Sequence, residues 1–301
     1  MLRRIIKLGG SYYVSLPKGW VEGLRLKPGD YVEVEVKEGA SVEIRPHEVR
    51  RREEERAPYR VFEGPWLERG ILYAYLSGYE VIEVRFRGGR RSVVERVERL
   101  QRLLIGLEVV EESEDRLVLQ CFTRPGYSLE SLLYRMDGIS REMYVDAARA
   151  LARGDETLAE SVVARDDRLD RLYFLVVREI RTRMLNPEVM GAERVKLMDF
   201  RLLARDVEEI GDLSESIARL ALEGIRAPSA VERVAESLSR VQGALVRRII
   251  EGRGAAYELV DEVDSVVRQV RVQLGEHRAL AVLVARIADK LRDIADLAPC
   301  A

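Results

Sequence analysis

The spacing of apolar and polar positions changes character twice along the chain. Through residue 50 apolar residues alternate with polar ones or sit in short β-branched runs, which predicts four strands, over 2–8, 12–17, 31–36 and 41–45. One helical turn is expected over 18–26, and Gly9-Gly10-Ser11 and Lys27-Pro28-Gly29-Asp30 are strong turn signals. From residue 59 to 127 the pattern predicts a helix (65–77, ended by Gly78), a strand (80–86), a helix (92–105, ended by Gly106) and two strands (107–112 and 116–122). Beyond Ser128 a helical period takes over in six stretches: 131–152, 156–184, 191–223, 229–251, 254–273 and 277–298. Gly154, Asn186-Pro187, Ala227-Pro228, Gly252 with Gly254, and Gly275 separate them, and short connections of this kind suit an antiparallel bundle. The expected architecture is therefore a multidomain α+β chain. It has a small β head (1–50), a charged linker, a small α/β unit (59–127) and an all-α body of six helices (128–301).

Composition adds a charge asymmetry that the total conceals. The 301 residues carry 50 basic and 52 acidic side chains. Residues 1–50 hold nine basic against seven acidic, residues 51–127 hold 14 of each, and residues 128–301 hold 27 against 31. Within residues 1–27 Arg3, Arg4, Lys7, Lys18, Arg25 and Lys27 face Glu22 alone, so the chain joins a basic head to an acidic body. Only six of the basic residues are Lys and Asn186 is the sole Asn, a dense ion-pairing composition that suggests a thermophile, although a GC-rich genome gives the same Arg bias. The longest uninterrupted apolar run, 279–285, falls far short of the roughly 20 residues that span a bilayer, so no membrane insertion and a cytoplasmic location are expected. Cys121 and Cys300 match no metal spacing and imply no disulfide framework.

The helical half contains a repeat. The stretch Arg165-Asp166-Asp167-Arg168-Leu169-Asp170 can be laid over Leu259-Val260-Asp261-Glu262-Val263-Asp264. In the same way Val207-Glu208-Glu209-Ile210-Gly211-Asp212-Leu213 lies over Leu291-Arg292-Asp293-Ile294-Ala295-Asp296-Leu297, so two tandem three-helix bundles are expected. The two Asp/Glu-x-x-x-Asp elements of the first copy, Asp166 with Asp170 and Glu208 with Asp212, resemble the PhoU family of phosphate-uptake regulators over about residues 128–298. The opening "I-I-K-L-G-G-S-Y-Y-V-S-L-P-K-G-W", followed by "L-K-P-G-D-Y-V-E-V-E-V", is similar to the swapped-hairpin AbrB/SpoVT/MazE family of DNA-binding domains. An AbrB-like head on a PhoU-like body resembles a group of archaeal regulators.

Residues four apart share a helix face, so each acidic pair is mutually repulsive by a few tenths of a kcal/mol in isolation. Two such helices side by side would gather four carboxylates, a donor set for hard cations such as Mg, Mn or Fe with water or phosphate completing the shell. The PhoU resemblance implies a metal site at Asp166, Asp170, Glu208 and Asp212. The competing reading is a solvated salt-bridge network with Arg165, Arg168, Arg171 and Arg205. In the second copy Val260 and Arg292 stand where Asp166 and Glu208 stand in the first, so that site is expected to be lost.

In the head, Arg3, Arg4, Lys7 and Lys18 are the candidates for phosphate contacts, with Ser11, Tyr12 and Tyr13 as hydrogen-bonding or packing neighbours. The resemblance implies that two chains interleave hairpins into one barrel, a homodimer presenting its basic strands to double-stranded DNA. The alternative is a head that only dimerises. Two functions follow: a phosphate-responsive transcriptional regulator, or an adaptor that does not bind DNA and restrains a phosphate transporter ATPase or a signalling partner. His47 and His277 have no ligand-like neighbours, Gly88-Gly89-Arg90-Arg91 lacks the Gly-Lys-Ser/Thr of a phosphate-cradling loop, and no nucleophile–base constellation argues for an enzyme.

Overall fold

The computed structural model describes residues 3–24, 26–37, 41–46, 57–123, 128–186, 189–254, 257–273 and 277–298. Most of the charged linker, Arg25, His47, Pro187, Gly275 and Cys300 lie outside them. The head contains two antiparallel hairpins, β1 (Ile6–Leu8) with β2 (Ser11–Tyr13) and β3 (Val32–Lys37) with β4 (Ser41–Pro46), and between them the short helix α1 (Lys18–Gly23). Gly9, at φ 62°, occupies the two-residue turn that joins β1 to β2, a conformation only glycine adopts without strain. The first two strands are shorter than their apolar patterns suggest. A lone two-stranded ribbon has neither a third strand nor a core to hold its ends, and Pro17 cannot extend a ladder. None of the described head residues is buried.

Residues 57–123 form a four-stranded sheet in the order β5-β6-β8-β7. Its elements are β5 (Tyr59–Phe62), α2 (Leu67–Leu76), β6 (Val81–Arg85), α3 (Arg90–Leu103), β7 (Leu107–Glu112) and β8 (Arg116–Cys121). β5 runs parallel to β6, as a β-α-β crossover requires, while β6–β8 and β8–β7 are antiparallel. Strand β5 has no counterpart among the sequence expectations, because Tyr59-Arg60-Val61-Phe62 is too short, between a charged run and Gly64-Pro65, to show a period. One face of the sheet packs its apolar residues, Val61, Ile82, Val84, Leu117 and Leu119, against Leu67, Ile71 and Tyr75 of α2 and Val93 and Val97 of α3.

The remainder is helical: α4 (Leu129–Arg153), α5 (Glu156–Met184), α6 (Ala192–Leu222), α7 (Ala230–Glu251), α8 (Tyr257–Gln273) and α9 (Arg278–Ala295). Gly154 ends α4 in the left-handed conformation, and the next residue, Asp155, caps α5 by accepting a hydrogen bond from the Leu158 amide at 3.0 Å. α4, α5 and α6 pack on one another, as do α7, α8 and α9, and α4–α7 and α6–α9 contacts join the two sets around one apolar core. The sheet unit docks on α5. Arg178, only 4% exposed, donates to the Tyr75 carbonyl in the last turn of α2 and to the Tyr79 carbonyl beyond it, and lies 4.9 Å from the centre of the Tyr75 ring. Among the described residues no helix is long and apolar enough to cross a membrane.

Candidate functional site

The neighbouring helices α5 and α6 carry the four carboxylates singled out by spacing. Side-chain oxygens of Asp166, Asp170 and Asp212 lie within 4.8 Å of one another. Glu208, one turn before Asp212, completes the acidic surface. The approach is close because α6 has glycine at 211: a β-carbon there would stand 2.3 Å from Leu169 Cδ2 and 3.5 Å from Asp166 Oδ1. A side chain at 211 would force the buried Leu169 side chain, which packs between the helices, to move.

Two carboxylate oxygens, Asp166 Oδ1 and Glu208 Oε2, are buried and accept no hydrogen bond. Orphaned anionic oxygens of this kind are costly, and the proton equilibria respond. Burial raises Asp166 to about 7, helped by repulsion from Asp170, Glu215, Asp212 and Glu208. Burial and then the charge of Asp212 bring Asp170 to about 6, and burial followed by Asp212 brings Glu208 to about 7. Asp212 is also raised, mainly by burial. Glu215 belongs to this field, a contribution the four-residue spacing did not reveal. It lies one turn beyond Asp212, and the i,i+3 spacing in Asp212-Leu213-Ser214-Glu215 was the available signal.

The nearby arginines neutralise the group only in part, through Arg205, whose charge favours ionised Glu208 and Asp212. Arg165 turns to Asp146, 2.6 Å away, and Arg205 favours Glu209 at 2.7 Å over Glu208 at 3.6 Å. The donor set is all oxygen, in part desolvated and in part protonated for want of a counter-charge, which fits a hard cation. The matching place in the second copy is built differently. Arg292 contacts Asp264 at 2.6 Å, and Lys290 reaches Asp206, Glu209 and Asp293 at 3.2, 2.7 and 3.1 Å. Asp296 is exposed.

In the head, strand pairing sorts the candidate residues by face. Lys7 is opposite Tyr12, with Nζ 5.8 Å from the ring centre. Ile6 is opposite Tyr13 and Leu8 opposite Ser11, and cross-strand partners share a face, so Ser11 and Tyr13 stand on the apolar side away from Lys7. Arg3 and Arg4 precede β1 and are exposed. Lys18 opens α1 and pairs with Glu22 at 3.6 Å. In the second hairpin Val34 opposes Ile44 and Val36 opposes Val42, an apolar face without cover: Val34 is 60% and Val36 77% exposed.

Two separate stretches of the chain match different family models. Residues 133–221 match the PhoU domain, and residues 5–52 match the bacterial antitoxin family described as antidote-toxin recognition MazE. The chain is similar to a phosphate-specific transport system accessory protein PhoU homolog of Rhizobium meliloti, 23% identical over 136 residues, which is 44% of this chain and 57% of that protein. The corresponding homolog of Caulobacter vibrioides is 32% identical over 114 residues, 37% of this chain and 50% of that protein. The matches thus span about half the length of these relatives. The crystal structure of PhoU from Pseudomonas aeruginosa is 21% identical and superposes on 56% of this chain and 93% of its own, with a TM-score of 0.45.

Proposed function

We propose that this chain is a phosphate-responsive transcriptional regulator of the cytoplasm. In this reading the helical body binds a hard cation (Mg, Mn or Fe) at Asp166, Asp170, Glu208 and Asp212, and the head binds double-stranded DNA as a dimer. The observation that carries it is the cluster of incompletely neutralised carboxylates at the α5–α6 contact, within the stretch that matches the PhoU domain. A bound cation would supply a positive centre able to accept the oxygens of phosphate or water. The protein residues would hold it, release their protons to it and keep α5 and α6 at the separation that Gly211 permits.

The head enters through the match to an antitoxin family and through its unburied apolar face. A domain of about 50 residues without a core gains one by pairing with a second copy, and the proposed arrangement is the swapped-hairpin barrel. Dimerisation would bring two sets of Arg3, Arg4 and Lys7 together, enough to neutralise several phosphates despite the acidic body. The domain limits that go with this reading are 1–50, 59–127 and 128–301, with two three-helix bundles in the last. No catalytic role is proposed.

A fluorescence-anisotropy titration of duplex DNA at low and moderate salt tests the head. We expect binding that weakens with salt and is lost with Arg4→Ala/Lys7→Ala; binding that is absent at low salt, or indifferent to that change, sinks the regulator reading. Failure there would favour the adaptor, in which the body restrains a phosphate transporter ATPase. The relatives' description as transport accessory proteins supports that second reading.

A further inference from the structure

The two edges of the middle sheet are protected unequally. The β7 edge carries Glu108, Glu111 and Glu112 and a register shift between Val109 and Glu111. Charge and irregularity of this kind discourage another strand from adding there, and a two-fold pairing of β7 would set glutamates against glutamates. The β5 edge has no acidic residue and no register shift, and on its outward face stand Arg60 and Phe62, the latter 68% exposed.

Hydrogen-bond parity shows what that edge can accept. The Glu63 amide donates to the Arg85 carbonyl of β6 at 2.8 Å. In a parallel ladder alternate residues point their peptide groups to the same neighbour, so Tyr59 and Val61 also face β6 while Arg60 and Phe62 direct N–H and C=O to the free side. An antiparallel partner must keep outward side chains with outward ones and match donors to acceptors. For a second copy of β5, registers that set Arg60 or Phe62 opposite either of these residues in the partner do both, and the one with the greatest overlap places Val61 opposite Val61 on the two-fold axis, with Arg60 opposite Phe62 of the partner subunit and Phe62 opposite the partner's Arg60. Each of those two pairs exchanges two backbone hydrogen bonds and sets a guanidinium against an exposed aromatic ring. No neighbouring element among the described residues adds a strand to this edge.

We propose that β5 is a second dimer contact, joining the two four-stranded sheets of a dimer into one continuous sheet of eight strands. The inference rests on the head-dimer reading, which supplies the tether. Twelve residues, 47–58, separate the end of β4 from the start of β5 and reach at most about 40 Å, so both β5 strands are confined near the head's two-fold axis. A four-residue strand is too short to associate alone from dilute solution; the tether raises its effective concentration into a useful range.

Sedimentation of the full chain, amide exchange and cross-linking test this together. The Arg60 and Phe62 amides, which have no ladder partner among the described residues, should exchange roughly 10-fold or more slowly than free amides in the dimer. Arg60→Pro should abolish that protection at Phe62 while sparing the β5–β6 ladder, since the lost N–H points outward. Oxidation of the Arg60→Cys/Phe62→Cys double variant should give at least roughly 10-fold more covalent dimer than Arg91→Cys, a site whose side chain is 94% exposed. A wild-type dimer with freely exchanging amides and no cross-link overturns the β5 pairing and leaves the head dimer standing. A wild-type monomer overturns the head reading and the pairing with it.

Discussion

The two halves of the helical body use one scaffold for opposite electrostatic ends. In the first, Asp166, Asp170 and Asp212 bring oxygens within 4.8 Å with no basic side chain hydrogen-bonded among them. In the second, the position that corresponds to Glu208 is Arg292, whose guanidinium rests on Asp264 at 2.6 Å. Lys290, two residues before Arg292 and so on a different face of α9, holds Asp206 and Glu209 of α6 and so ties the second half to the first. A tethered ammonium or guanidinium neutralises carboxylates permanently and glues helices, whereas bare carboxylates leave the packing dependent on something added from solution. On the proposed reading, two substitutions separate a copy that takes up a cation from one that is held by its own basic side chains.

Removing the first group has the largest expected effect. Asp170→Ala/Asp212→Ala should abolish the metal content of the purified protein, measured by elemental mass spectrometry, and with it any thermal stabilisation by added Mn. Unchanged content would mean that the carboxylates are not ligands. The comparison can also be run backwards. Val260→Asp/Arg292→Glu restores both changed positions of the second copy and removes its tethered cation. A second equivalent of metal is expected in that variant, and a stoichiometry that stays at the wild-type value would show that the copies differ in backbone and not only in side chains.

Much of this body was legible in advance because helices of this length announce themselves by period. The expectation for α5, 156–184, coincides with the observed helix, and α6 differs by one residue at each end. The acidic pairs were legible for the same reason, since four-residue spacing fixes a common face. Other features depend on contacts that no local pattern encodes. Gly211 reads as an unremarkable helix glycine until Leu169 is found 2.3 Å from where its β-carbon would be. β5 is a strand only because β6 supplies its ladder, and Arg178 is one arginine among many until it meets the Tyr75 carbonyl in the last turn of α2. In the head the alternation was visible, but β1 and β2 are only three residues long because a ribbon of two strands has no third strand or core among the described residues to fix their ends.

Gly211→Ala tests the close approach on which the proposed cation site depends. The added methyl must displace Leu169, which is fully buried, and overpacking of this kind costs about 1–3 kcal/mol. Denaturant unfolding should show that loss, and metal affinity should fall with it because the carboxylates separate. The equivalent residue in the second copy is already Ala295, and changing it to Gly should leave metal content as it is.

The smallest effect is in the pH dependence, and its sign separates a responsive site from a salt-bridge network. Asp166 near 7, Glu208 near 7 and Asp170 near 6 all bind protons more tightly when folded than an unfolded carboxyl does, which titrates near 4. Between pH 4 and 7 the folded chain therefore holds more protons than the unfolded one, and their contribution to stability declines as pH rises through that window. Carboxylates paired with arginine would behave in the opposite way, becoming more stabilising as they ionise. With chelator present, the melting temperature of the wild type should fall between pH 5.5 and 7.5 relative to that of Asp166→Asn/Glu208→Gln. The difference should be a few degrees, because the groups are only partly buried and solvent screens them. Adding metal at pH 7.5 should recover the loss and release protons, read as a dependence of calorimetric heat on the ionisation enthalpy of the buffer. A wild type that instead gains stability with pH relative to the double variant would show these carboxylates to be paired, and the distinction between the two halves would collapse.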